Sequence, residues 1–218
     1  MTDTTQIYLA SRIIDDAQSA IASLADACDG GAVAAILLSF AFTDEREQIN
    51  ALKAIAPVLQ KSGTAVIART SPRAAVRGGA DGVHLDEPGE TLADAIAALK
   101  PDRIVGVGGL RTRHDAMSVG ETDVDYLLFG EPRPDGSLPD RDATIERTAW
   151  WAEIFSVPCV GFVHDLADVE AMAATGAEFV GLGEAVWSHA EGPAAAVALA
   201  RTAIAAANRT DDDGETGR

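Results

Sequence analysis

The sequence predicts a single-domain α/β protein, a (β/α)8 TIM barrel in which each of eight parallel strands is followed by a helix. Apolar strand-like runs alternate with helical patterns along the 218 residues, mostly through short connections. That length is ordinary for one such barrel. A repeated unit favours the same fold: GADGVHLDE at 79–87 recurs as GAEFVGLGE at 176–184, with a looser copy, DVDYLLFGE, at 123–131.

The predicted strands are short apolar runs, as expected for parallel strands that are buried on both faces. They are IYLAS (7–11), VAAILLSF (33–40), TAVIAR (64–69), GVHLD (82–86), RIVGVGG (103–109), DYLLFGE (125–131), VPCVGFV (157–163) and FVGLGEA (179–185). A doubly wound open sheet fits less well, because no GxGxxG sequence follows the first strand and GVGGLR at 106–111 matches it only in part.

Apolar residues at helical spacing predict a helix after each strand. Ser71 and Pro72 suit the start of the third helix, Gly30-Gly31 ends the first, and Pro101 follows the fourth. The predicted helices span about 16–29, 45–60, 71–78, 91–100, 111–120, 143–155, 166–176 and 192–209. We expect the barrel to occupy residues 1–208 and the polar, acidic residues 209–218 to form a disordered tail.

Composition restricts the classes of partner. The net charge of −17 would repel nucleic acid and anionic membrane surfaces. The first residues lack the features of a signal peptide, and no apolar run is long enough to span a bilayer, so a cytoplasmic protein is expected. Cys28 and Cys159 have no metal-binding spacing and are expected to be buried, reduced thiols.

The active site of a barrel lies at the carboxyl ends of its strands, where this chain places several polar residues. We assign candidate roles by residue type, although such residues can simply cap the following helices. The acid–base candidates are His164 and Glu131, the substrate-binding candidates are Arg69, Thr70, Gly108, Gly109, Arg133 and Gly183, and the metal-binding candidates are Asp86 and Glu87.

The chemistry of each type supports these roles. The adjacent carboxylates of Asp86 and Glu87 are oxygen ligands of the kind that Mg²⁺ takes. His164 is a proton shuttle near neutral pH. Gly183 would let a phosphate approach the backbone, whereas the neighbouring Glu184 would oppose an anion. His84 stays open between an inward site residue and a buried core histidine.

Six segments together resemble one family of barrels. They are IYL in the first strand, GADGVHL at 79–85, IVGVG at 104–108, DYLLFGEPRP at 125–134, VPCVG at 157–161 and GAEFVGLGEAV at 176–186. The chain resembles the thiamine phosphate synthase and TenI-like family. That resemblance implies thiamine biosynthesis, by the joining of a pyrimidine diphosphate to a thiazole phosphate with Mg²⁺ on the pyrophosphate. TenI-like members instead aromatise a thiazole tautomer.

The chain departs from the family pattern at the polar positions. Arg69 and Thr70 stand where the family has an Asn-Asp pair, and Gly89 stands where it has a second metal-binding Asp. Glu184 replaces the phosphate-binding Ser. If the family reaction is retained, the resemblance implies new ligands, Asp86 and Glu87 for a metal with Arg69 and Arg133 for phosphate.

Two other functions remain open beside a thiamine-pathway transferase. One is a different isomerase on the same barrel that uses His164 or Glu131. The other is a non-catalytic binding or regulatory protein for a small molecule, with phosphorylated molecules among the candidates. Trp150, Trp151 and Trp187 suggest a homo-oligomer contact, and a buried helix face explains the adjacent pair nearly as well.

Overall fold

The fold is a closed barrel of eight parallel strands in chain order, in a computed structural model that describes residues 5–29 and 33–215. The strands are β1 (Gln6–Ile14), β2 (Val33–Phe40), β3 (Ala65–Ala68), β4 (Gly82–Leu85), β5 (Ile104–Val107), β6 (Tyr126–Phe129), β7 (Cys159–Phe162) and β8 (Phe179–Leu182). β1 pairs with both β2 and β8, which closes the sheet. The predicted fold class is confirmed.

A helix follows each strand, as the apolar spacing predicts. The helices are α1 (Ala17–Cys28), α2 (Glu45–Leu59), α3 (Pro72–Gly78), α4 (Glu90–Leu99), α5 (Arg113–Gly120), α6 (Arg141–Ile154), α7 (Val169–Ala173), α8 (Glu184–Trp187) and α9 (Pro193–Glu215). Side-chain caps define several starts: Asp16 accepts from the backbone of Gln18, and Ser71 accepts from Ala74 with Pro72 in the first turn. The expected glycine stop at 30–31 lies outside the described residues.

Several boundaries differ from the sequence prediction, and three of these differences lie in the last quarter of the chain. The strand expected over 179–185 ends at Leu182, because the short helix α8 begins at Glu184. The helix expected over 166–176 is a 3₁₀ turn followed by the five residues of α7. The last helix continues to Glu215, although its final residues were expected to belong to a disordered tail that begins at residue 209.

The core has two layers. Side chains between the strands and the surrounding helices form the larger layer, and inward side chains fill the barrel itself. Cys28 and Cys159 are free and buried, as expected. Among the described residues, no helix is long and apolar enough to cross a membrane.

The adjacent tryptophans of α6 have different surroundings. Trp151 is fully buried, stacks on Phe155 at 4.1 Å between ring centroids, and donates its indole N–H to the carbonyl of Val157 at 2.8 Å. Trp150 is only partly buried, and Arg113 lies over its ring at 4.8 Å. The buried helix face therefore accounts for Trp151, while a homo-oligomer contact stays a prediction.

This contrast predicts that truncating the two tryptophans to alanine lowers the free energy of unfolding by different amounts. Trp151→Ala should lower the free energy of unfolding by about 3–5 kcal/mol, because it opens a cavity and leaves the Val157 carbonyl without its donor. Trp150→Ala is the matched control and should cost clearly less. Urea denaturation followed by circular dichroism measures both, and equal costs would contradict the assignment of Trp151 to the core.

Candidate active site at the barrel mouth

Three polar side chains meet inside the barrel. The hydroxyl groups of Tyr8 and Tyr126 lie 2.7 Å apart, and the Tyr126 hydroxyl is 3.0 Å from Nδ1 of His84. The rings of His84 and Tyr126 stack with their centroids 5.8 Å apart. We call these three residues the polar chain. They come from β1, β6 and β4, so only the closed sheet brings them together.

A glycine in β5 makes room for the polar chain. A Cβ atom on Gly106 would lie 2.0 Å from Cζ of Tyr126, which is far inside van der Waals contact. Gly106 pairs with His84 on β4 and with Tyr126 on β6. The aromatic ring therefore occupies the space that any other residue at 106 would fill.

His84 offers one nitrogen without a partner. The residue is 2% exposed, and its Nε2 has no hydrogen-bond partner among the described residues. A Cβ atom on Gly108 would lie 3.0 Å from this nitrogen and 2.4 Å from Oε1 of Glu131. The free nitrogen therefore lies close to the Glu131 carboxyl group. Burial, and then the charge of Arg69, hold the pKa of His84 well below its usual value.

Glu131 is a half-buried carboxyl group at the carboxyl end of β6. Its Oε1 accepts a hydrogen bond from the backbone N–H of Gly109. Burial raises the pKa of Glu131, and the Gly109 hydrogen bond and Arg69 offset this in part. Gly109 has a φ of +67°, and a Cβ there would lie 1.9 Å from the carbonyl oxygen of Asp86. Glycine is thus required where these two loops cross.

Arg69 follows β3 and supplies positive charge to this region. Its Nε lies 2.8 Å from Oδ1 of Asp86, yet this nitrogen has no aligned hydrogen bond among the described residues. The contact is therefore an ion pair in which the N–H does not point at the carboxylate. Nη1 of Arg69 is 3.4 Å from the hydroxyl of Ser39, a long hydrogen bond. The Arg69 side chain is 32% exposed, so the pair is partly open to solvent.

Other residues assigned from the sequence have local partners. Thr70 donates its hydroxyl to the side chain of Gln48, and Arg133 contacts Ser137 and the Leu138 carbonyl within its own loop. These contacts tie the two side chains to neighbouring chain segments. The structure thus groups Arg69, Asp86, Gly108, Gly109 and Glu131, and gives Thr70 and Arg133 separate hydrogen-bond partners.

The loops after β7 and β8 hold the remaining candidates. Nε2 of His164 donates to the carbonyl of Gly130 at 2.9 Å, and burial lowers the pKa of His164. Gly183 precedes α8, whose first residue, Glu184, forms an exposed ion pair with Arg12. That pair lowers the pKa of Glu184, which stays a carboxylate beside the backbone where a phosphate was expected.

The two predicted metal ligands, Asp86 and Glu87, lie together at the end of β4 without a third ligating side chain among the described residues. Asp86 already faces the guanidinium of Arg69, and Glu87 is exposed next to it. Within the described ranges, no group of three or more His, Cys, Asp or Glu side chains could hold a metal ion. Asp86 and Glu87 offer two carboxylates, so a Mg²⁺ ion here would take its remaining oxygen ligands from water and from substrate phosphate, and the metal site stays a prediction.

Sequence reasoning left His84 open and did not single out Tyr8 or Tyr126. The alternation of side chains along each strand carries the relevant signal, because Tyr126 and Leu128 share one face of β6. Both belong to the cluster that fills the barrel. An inward tyrosine opposite an inward glycine is the pattern that could have identified the polar chain.

Comparison with known proteins identifies the family. The family model described as thiamine monophosphate synthase matches residues 7–186. The chain belongs to this family. It is 36% identical over 202 residues to a thiamine-phosphate synthase of Rhodospirillum centenum, which covers 91% of this chain and 96% of that protein. It is 30% identical over 213 residues to a thiamine-phosphate synthase of Hyphomonas neptunium, and the match covers 90% of this chain and 95% of that protein.

Solved structures agree with the family in fold. A thiamine phosphate pyrophosphorylase of Pyrococcus furiosus superposes with a TM-score of 0.75 at 19% identity, over 94% of this chain and 98% of that one. A 3-hexulose-6-phosphate synthase of Salmonella typhimurium superposes with a TM-score of 0.73 at 18% identity, over 93% of this chain and 100% of that one. At these identities the likeness shows the barrel alone.

The raised pKa of Glu131 predicts a pH-dependent penalty on folding. An acid whose pKa is higher in the folded state stabilises the fold below its unfolded pKa, and this contribution is lost as pH rises through the folded value. Glu131→Gln keeps an oxygen for Gly109 and carries no charge. The gain in free energy of unfolding of this variant over the wild type should therefore be larger at pH 7 than at pH 4.

The matched control is Glu153→Gln, which changes an exposed glutamate of α6. Urea titrations across this pH range provide the measurement. If the control variant shows the same pH dependence as Glu131→Gln, the penalty does not arise from burial of Glu131.

Proposed function

We propose that the protein is a working transferase of its family, which joins a pyrimidine diphosphate to a thiazole phosphate in thiamine biosynthesis. The observation that carries the proposal is the position of Arg69. The guanidinium of Arg69 is partly exposed at the end of β3. It lies among Asp86, Gly109 and Glu131, which follow β4, β5 and β6. The near-complete coverage of relatives named thiamine-phosphate synthase supports the same reaction.

Arg69 would bind the diphosphate. Guanidinium groups bind phosphate oxygens through two parallel, charge-assisted hydrogen bonds. When the bond to the diphosphate breaks, its electron pair leaves with the diphosphate, and a new bond forms between the pyrimidine-bearing carbon and the thiazole. A cation that is already in place stabilises the negative charge that builds up on the departing group. The diphosphate would displace Asp86, whose contact with Arg69 lacks an aligned hydrogen bond.

Glu131 would act from the other side of the mouth. Burial raises its pKa, so a smaller fraction of this carboxyl group is ionised at a given pH than in an exposed glutamate, which reduces repulsion of a phosphorylated substrate. The Gly109 N–H holds one carboxyl oxygen in place. His164, tied to the carbonyl beside Glu131, would orient this loop.

A different isomerase is the second candidate. The same raised pKa of Glu131 is a property of general acids and bases that work near neutral pH. Such an enzyme would turn over a phosphorylated substrate without releasing pyrophosphate. A non-catalytic barrel would bind these molecules without turnover. In all three cases we propose a small phosphorylated ligand and a cytoplasmic site of action.

The test of the transferase is Arg69→Ala. Formation of thiamine phosphate from the pyrimidine diphosphate and the thiazole phosphate should fall about 100-fold or more in kcat/KM, the usual cost of losing one charge-stabilising donor. Arg77→Ala removes an equal charge from the exposed face of α3 and should leave kcat/KM unchanged. Absence of product with the wild-type protein would contradict the transferase and favour one of the alternatives.

Asp86 and Glu87 predict a metal requirement that can be tested. Once the diphosphate has drawn Arg69 away, the Asp86 carboxylate is free to hold Mg²⁺ together with phosphate oxygens of the substrate, so EDTA should abolish turnover and added Mg²⁺ should restore it. Initial rates with EDTA and with added Mg²⁺ provide the measurement. An Asp86→Asn variant that keeps both the wild-type rate and the wild-type dependence on Mg²⁺ would contradict a metal at Asp86 and Glu87.

A further inference from the structure

The hydrogens of the polar chain can be placed by counting donors and acceptors. Two hydroxyl hydrogens and one imidazole hydrogen are available for the two short contacts, Tyr8–Tyr126 and Tyr126–His84. If Tyr8 donates to Tyr126 and Tyr126 donates to Nδ1 of His84, both buried hydroxyl hydrogens are used. If Nδ1 carries the hydrogen instead, one buried hydroxyl hydrogen has no acceptor among the described residues, at a cost in free energy.

The favoured arrangement puts the imidazole hydrogen on Nε2. Nδ1 then acts as an acceptor, so the ring is neutral, and Nε2–H is a donor whose direction the polar chain fixes. This donor is the buried group that has no partner among the described residues. A buried donor without a partner is unfavourable, so a ligand acceptor at this point gains a hydrogen bond at little reorganisation cost.

We propose that His84 is a ligand-contacting residue whose Nε2–H, oriented by Tyr8 and Tyr126, binds an uncharged acceptor atom such as a nitrogen of the substrate's heterocyclic ring. This inference rests on the proposed function and adds to it the residue that recognises the ring. His84 thereby has a different task from Arg69, which takes the phosphate.

The surroundings of Nε2 favour a neutral acceptor over a phosphate. A neutral imidazole brings no charge to an anion, and the Glu131 carboxyl group lies next to the same space. A heterocyclic nitrogen needs only one donor, and it can accept Nε2–H in the plane of the imidazole ring. Gly106 leaves its space to the Tyr126 ring, and a Cβ on Gly108 would lie 2.4 Å from Oε1 of Glu131, so these two side chains bound the space beside Nε2.

The charge of Arg69 acts on His84 and on its neighbours. Nε2 of His84 and Nε of Arg69 are both buried atoms, and the charge of Arg69 acts on His84, on both tyrosines and on Glu131. Arg69 therefore lies close to the whole group. Its ion pair with Asp86 is partly exposed, and pairs of that kind contribute little. We expect a phosphate that draws Arg69 towards itself to widen the space beside Nε2, so pyrophosphate should strengthen ring binding.

The first experiment determines the tautomer of His84. Long-range ¹H–¹⁵N spectra of the full chain distinguish Nε2–H from Nδ1–H for each of its four histidines, and His84→Gln assigns the signal. We expect Nε2–H in the wild type and in Tyr8→Phe, where Tyr126 still donates. Tyr126→Phe removes that donor and should release the preference. An Nδ1–H tautomer in the wild type overturns the proposal.

The second experiment measures ring binding without turnover. The probes are methylthiazole, which has an acceptor nitrogen, and toluene, which has none, each with and without inorganic pyrophosphate in EDTA. We expect methylthiazole to bind more tightly than toluene, and pyrophosphate to strengthen its binding by about fivefold or more, the usual range of coupling between sites. Equal binding of the two probes overturns the ring contact.

Variants separate this role from a structural one. His84→Leu should lose the preference for methylthiazole, His84→Gln should recover part of it through its amide N–H, and His114→Gln, on an exposed histidine, should change nothing. Each variant should still bind pyrophosphate, because Arg69 is intact. If ring binding follows this order while no thiamine phosphate forms, the transferase fails and the role of His84 stands. If turnover occurs but His84→Leu keeps the preference, the role of His84 fails.

Discussion

Closure of the sheet by the pairing of β1 with β8 is the constraint on which the candidate site depends. Residues 6–9 of β1 pair in register with 179–182 of β8. This ring brings strands distant in sequence within reach of one another, so that Tyr8 and Tyr126 form a buried hydrogen bond across 118 positions of the chain. In an open sheet these hydroxyls would lie apart, and each would need another partner.

In the closed barrel, neutral and charged polar groups lie at different depths. Inside lie neutral groups that hydrogen-bond to one another and end at His84. Above them, at the strand ends, lie the charged groups Arg69 and Asp86, which share exposure to solvent. A substrate with an uncharged ring and a charged phosphate has the same division. This correspondence joins the proposed transferase to the proposed role of His84.

The fold could be predicted because its signals are local. Continuous apolar runs, caps such as Ser71 and repeated glycine-led units such as 79–87 each act within a few residues. Two of the places where boundaries differ are α7 and α8. Both are short helices, and contacts with distant parts of the chain help to set their length. Trp187 of α8, for example, donates to the carbonyl of Ala10 on β1 at 2.7 Å. No local sequence pattern predicts a contact of that kind.

By itself the sequence determined the barrel, the order of its elements and the candidate residues at the strand ends, because strand alternation and capping are properties of neighbouring residues. Tertiary structure decided which candidates meet. Arg69 faces Asp86, which the sequence offered as a metal ligand, Arg133 is held within its own loop, and His84 joins two tyrosines that no motif connects. The physical reason is distance: ion pairs and hydrogen bonds act over a few ångströms, and only the closed sheet sets those separations.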